Sequence, residues 1–180
     1  MIGQAPQVQS QELDGGAKGN YQTVEVMKGV AGRAAGDPLV RQLACAILNT
    51  AGVKSMNYLD EARAIGEFVR KNVRYVRDPD NIEQLQDPHM MVEHIRTGQA
   101  QGDCDDMALL IASLLKSVGH RPFFRLVRYK GNSGSFQHIY VVDYEKNQGG
   151  KVQRLVIDAI IKQRAIGFEI PHASGEEVAV

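Results

Sequence analysis

The chain has 180 residues, 43% of them hydrophobic and 23% charged, and its 21 basic residues are balanced by 21 acidic ones. That size and composition suit one soluble globular domain with a full core. The zero net charge leaves no footprint for nucleic acid and no polybasic membrane surface, and no apolar run reaches the roughly 18 residues of a membrane span.

The N-terminus shows no basic region followed by an apolar stretch, so a cytoplasmic location with reduced cysteines is expected. Residues 1–20 are rich in Gln and Gly and lack apolar periodicity, which reads as a flexible or extended arm. The domain proper is expected over 21–166. Thr23 to Ala35 reads as a short helix. Asp37-Pro38 is a strong helix start, with Asp at the N-cap and Pro at the first helical position. Leu39, Leu43, Ala46 and Ile47 follow at helical spacing, and Gly52 closes the run. Cys45 lies in this pattern and is expected to be a buried small hydrophobe. A third helix is expected from Asn57 to Asn72, then an extended piece at Val73–Val76 and a turn at Asp78–Asn81. Asp87-Pro88 starts another short helix that stops at Gly98.

The clearest element follows Cys104. Met107, Leu110, Ile111, Leu114, Leu115 and Val118 recur at i, i+3, i+4, i+7, i+8 and i+11, and Gly119 suits the C-terminal cap. Beyond Arg121 the texture changes to strands: Pro122–Lys130, Phe136–Tyr144 and Val152–Ile161, with turns at Gly131–Gly134 and Asn147–Gly150. Helices first and strands after give an α+β domain, with helices packed on an antiparallel sheet. Residues 167–180 read as a tail or a last edge segment.

Three residues carry the chemistry. A thiol at a helix N-terminus meets outward-pointing N–H groups and the positive end of the helix dipole, which favour the nucleophilic thiolate. Cys104 has that position. Strand alternation puts Phe136, His138, Tyr140 and Val142 on one face, and Val152, Arg154, Val156, Asp158 and Ile160 on one face of the next strand. A hairpin would set His138 beside Asp158. A carboxylate in the apolar run 155–161 needs a partner, and His138 is the nearest by topology. Cys104 then serves as nucleophile, His138 as acid and base, and Asp158 as orienter. An oxyanion donor could be the Cys104 backbone N–H or the side-chain amide of Gln99 or Gln101. Asp103 fits an N-cap and Asp106 the capping-box position, which accounts for this acidic run without a metal; a divalent-cation site on Asp103, Asp105 and Asp106 is the alternative. His89 and His94 are spaced poorly for one helical metal face, so no zinc and no cofactor are expected.

The helix and short strand Ala62–Val76, the Gly102-Asp-Cys104-Asp-Asp helix ending at Gly119, Phe136-Gln-His138 and Val156-Ile-Asp158 together resemble the transglutaminase-like, papain-like cysteine-enzyme superfamily. The resemblance covers about half the chain. It implies a catalytic Cys104, His138 and Asp158 and a thiol hydrolase of peptide or peptidoglycan amides. Crosslinking transglutaminases carry an aromatic residue after the cysteine, where this chain has Asp105, and the chain contains no Trp. The small single-domain form is similar to bacterial and phage proteins. That implies a further reading: a virion structural or assembly protein that docks partners through its N-terminal arm without catalysis.

Overall fold

A computed structural model of the protein describes residues 17–78, 84–131, 136–146 and 150–180. Helix α1 spans Ala17–Ala34, α2 Pro38–Thr50 and α3 Tyr58–Asn72. Helix α1 starts ahead of the expected Thr23 boundary, so residues 17–20 are helical; the rest of the expected arm lies outside the described residues. Two Asp-Pro starts act as read from the sequence. Asp37 Oδ1 accepts from the N–H groups of Leu39 and Val40, and Asp87 Oδ1 accepts from that of His89 at the start of α4 (Pro88–Arg96). The two caps are linked, because His89 Nδ1 lies 2.9 Å from Asp37 Oδ2.

Helix α5, Cys104–Ser117, is the centre of the molecule. It contacts the other four helices and the sheet. Nearly every side chain from Asp105 to Leu115 is buried, so the helix is apolar around its circumference rather than along one stripe. Cys45 differs from expectation: it is exposed on α2, while its neighbour Ala44 enters the core. A 100° rotation per residue is enough to separate them.

The main sheet is antiparallel in the order β5-β4-β3-β6, with β3 at Phe123–Arg128, β4 at His138–Lys146, β5 at Val152–Ile157 and β6 at Ser174–Ala179. The meander β3-β4-β5 is extended by β6, which pairs with β3 from Phe123↔Ala179 to Arg128↔Ser174. The C-terminal segment is therefore an edge strand. Most residues of the three expected turns, at 78–81, 131–134 and 147–150, lie outside the described residues. Phe124, Leu126, Ile139, Val141, Leu155 and Ile157 face the helices. Gly66 of α3 lets that layer close: a Cβ there would stand 2.5 Å from Ile157 Cγ2. The other face carries Val127, Tyr140, Val142 and Val156 under a charged lattice. Arg154 binds Glu169 through both terminal nitrogens at 2.8 and 2.9 Å, and holds that carboxyl down at about 2.

Two short parallel strands complete the fold. Strand β1 is Arg74–Tyr75 and β2 is Gln101–Gly102. Arg74 N–H donates to Ala100 O and Val76 N–H to Gly102 O, both at 2.9 Å. These bonds fix the chain immediately before Cys104.

Candidate active site

His138 is the first residue of β4, and Asp158 is the first residue after β5. Along the two strands they fall in step with Tyr140 and Val156. His138 Nε2 stands 2.7 Å from Asp158 Oδ2, and both side chains are 5% exposed. Asp158 Oδ1 also accepts from the N–H of Ile160 at 3.2 Å. That local turn ends β5 at Ile157, short of the expected Ile161, and aims the second carboxylate oxygen at the imidazole. The ring of Tyr140 packs beside His138, with centroids 5.5 Å apart. Because Nε2 faces the carboxylate, Nδ1 is the nitrogen left to exchange protons with a thiol.

Cys104 begins α5 and is half-buried against the core. Tyr129 joins the two halves of the site. Burial raises its phenol pKa, and the negative charges of Asp158 and Cys104 raise it further. The phenol of Tyr75, on β1, is likewise raised by burial and then by Cys104. Both tyrosines thus lie within electrostatic reach of the sulfur, and Tyr129 also within reach of the carboxylate bound to His138. Neither carries a motif in the sequence that would have marked it.

The first turn of α5 departs from the capping expectation. Asp103 occupies the N-cap, but its side chain makes no cap hydrogen bond. Instead Asp105 Oδ1 accepts from the N–H of Asp106 at 2.8 Å. Asp106 turns inward and grips Gln86: Oδ1 accepts from the backbone N–H at 2.7 Å, and Oδ2 from Nε2 at 2.8 Å. Burial pushes the Asp106 carboxyl up to about 6, opposed by the two Gln86 donors. Gln86 Nε2 also donates to Gln101 O at 2.8 Å, so it ties the loop before α4 to β2. Gly102 makes this fit possible, because a Cβ there would lie 2.5 Å from Asp106 Oδ2 and 2.7 Å from Asp106 Cβ. The glycine of Gly-x-Cys is thus a steric requirement of the folded-in aspartate. The carboxylates of Asp103, Asp105 and Asp106 come within 4.8 Å of one another and could together hold a cation.

The two glutamines considered as oxyanion donors lie just ahead of Cys104. Gln101 Oε1 accepts from Arg74 at 2.5 Å. Gln99 is exposed, and both residues line a polar cleft of ≈ 750 Å³ with Lys71, Arg74, His94 and Lys162.

No protein-family model and no curated protein matches the sequence. Solved structures do. A candidate protease from Parabacteroides distasonis is 15% identical with a TM-score of 0.50, over 82% of this chain and 31% of that one. LapG from Legionella pneumophila is 16% identical with a TM-score of 0.47, over 78% of this chain and 75% of that one. A candidate cysteine protease from Cytophaga hutchinsonii is 16% identical with a TM-score of 0.45, over 78% and 51%. This chain spans less than a third of the Parabacteroides protein. At these identities the likeness is one of fold: helices over an antiparallel sheet, shared with the Parabacteroides chain.

Proposed function

We propose that the chain is a thiol acyl-transfer enzyme of the transglutaminase-like, papain-like kind, hydrolysing a peptide amide with Cys104, His138 and Asp158. The observation that carries this is the 2.7 Å contact between His138 Nε2 and Asp158 Oδ2 in a nearly dry setting. A buried carboxylate bound to Nε2 fixes the tautomer with the lone pair on Nδ1 and supports the imidazolium when it forms. Cys104 at the start of α5, and the Tyr129 phenol that senses both Cys104 and Asp158, support the same assignment.

The chemistry runs in two halves. His138 Nδ1 takes the Cys104 proton, and the thiolate attacks the amide carbonyl. The tetrahedral intermediate collapses, the C–N bond breaks, and His138 returns the proton to the leaving amine. His138 then deprotonates a water that attacks the thioester, releasing the acid and restoring the thiol. N–H groups at the start of a helix point out along its axis, so the backbone N–H of Cys104 is the oxyanion donor in this scheme. An amine in place of water would give transamidation by the same steps. The Parabacteroides neighbour, named as a candidate protease, favours hydrolysis.

Iodoacetamide labelling across pH tests the assignment, with exposed Cys45 as internal reference. Cys104 is expected to alkylate at lower pH than Cys45 and to lose that difference in His138→Ala. A Cys104 profile that follows Cys45 in both proteins overturns the proposal.

A further inference from the structure

Helix α5 is 14 residues long, so its far end lies about 20 Å from Cys104. A second cluster of ionisable side chains is built there. His120 follows the Gly119 that ends the helix, and its side chain is fully buried. Its Nδ1 lies 2.6 Å from Asp143 Oδ2 and 3.5 Å from Glu145 Oε1. Its Nε2 lies 3.2 Å from Glu61 Oε2. Asp143 and Glu145 are alternate residues of β4, so they project to the same side. Glu61 comes from α3. Asp143 is 1% exposed, Glu61 9% and Glu145 18%.

We propose that His120 Nδ1, Asp143 and Glu145 bind a divalent cation of the zinc class, with Glu61 holding the imidazole from behind. Three observations converge. The donor atoms of these three residues all lie within 4.8 Å of one another. Tetrahedral ligation at zinc-like bond lengths sets donors about 3.3 Å apart, so the 3.5 Å to Glu145 already fits and the 2.6 Å to Asp143 must open as metal replaces the bridging proton. Second, Glu61 accepts from Nε2–H, the outer carboxylate that fixes the metal-binding tautomer of a ligating histidine. Third, the cluster carries excess negative charge that a cation reduces. Three carboxylates surround one imidazole: a proton on the ring offsets one negative charge, and a divalent ion on the neutral ring offsets two. The mixed nitrogen and oxygen donor set favours a borderline transition ion over calcium, which takes oxygen ligands. The ion enters from the Glu145 side, the most open of the three, and the displaced Nδ1 proton leaves to solvent. It would pin α3, the α5–β3 connection and β4 together.

The test is calorimetric titration of ZnCl₂ into the full chain carrying Cys104→Ser, which removes the thiol as a competing ligand. One saturable site with proton release is expected. Glu145→Gln in that background should weaken it about ten- to hundredfold, whereas Asp105→Asn should leave it unchanged. No saturable site, binding that ignores Glu145→Gln, or binding lost with Asp105→Asn each overturns the proposal. Imidazole ¹⁵N spectra give a readout that needs no change in the cluster. Zinc should shift His120 Nδ1 while its Nε2–H persists, and a shift confined to other histidines refutes the site. Neither readout depends on catalysis, so this inference and the assignment of Cys104 stand or fall separately.

Discussion

Gly102→Ala is the sharpest test of how the Cys104 turn is held. The new Cβ would sit 2.5 Å from Asp106 Oδ2 and 2.7 Å from its Cβ. Ordinary contact needs about 3.5 Å, so Asp106 must retreat by about 1 Å. Its two bonds to Gln86, 2.7 and 2.8 Å long, would then stretch past the hydrogen-bonding limit. Overpacking and two lost bonds to a buried carboxylate together should cost about 2–4 kcal/mol. Urea unfolding at neutral pH measures this as a lower midpoint at unchanged m. Gly32→Ala is the control. It is an exposed α1 position with no heavy atom within 4 Å of a new Cβ, and the better helix propensity should stabilise by about 0.5–1 kcal/mol. Alkylation of Cys104 should slow in Gly102→Ala, because α5 begins two residues later. A Gly102→Ala protein within about 0.5 kcal/mol of the parent would refute the steric reading, since that is the scatter of uninvolved surface changes.

Two further outcomes are expected. Asp158→Asn can still accept from His138 Nε2 and should change stability by less than about 1 kcal/mol, whereas Asp158→Ala leaves that N–H buried and unpaired at a cost of about 1–3 kcal/mol. The Asn variant should nevertheless shift Cys104 alkylation to higher pH, because the imidazolium loses its charged partner; an unchanged profile would make the pair merely structural. Asp106 gives a pH window. Its carboxyl releases its proton near 3.8 in the unfolded chain and at about 6 when folded. Between those values the folded state holds a proton that the unfolded state has lost, so stability falls as pH rises. The loss is complete above about pH 6 and amounts to about 3 kcal/mol. Comparing unfolding of the parent and Asp106→Asn at pH 4 and pH 7 isolates it: the variant should gain relative to the parent at the higher pH. A difference independent of pH would contradict the raised value.

The features legible along the chain are those encoded over a few neighbouring residues. Asp37-Pro38 and Asp87-Pro88 signal helix starts because a carboxylate two or three residues ahead meets otherwise unmatched N–H groups. The apolar run after Cys104 announces the central helix. Period-2 alternation is enough to place His138 and Asp158 on the same face of adjacent strands, and the hairpin brings them to 2.7 Å. The tertiary structure decided what depends on partners distant in sequence. Strand β6 has little apolar character and forms because β3 offers an open edge. The β1–β2 pair joins residues 27 positions apart, and Gln86 reaches Asp106 across 20. Those contacts draw Asp106 off the cap that its spacing suggests. His120 follows the helix-ending Gly119 with no motif to mark it, and its carboxylates arrive from 59 and 23 residues away. Periodicity reports which face of an element is apolar. Which polar groups meet in the interior is set by how the elements dock, where every buried donor and charge must find an opposite.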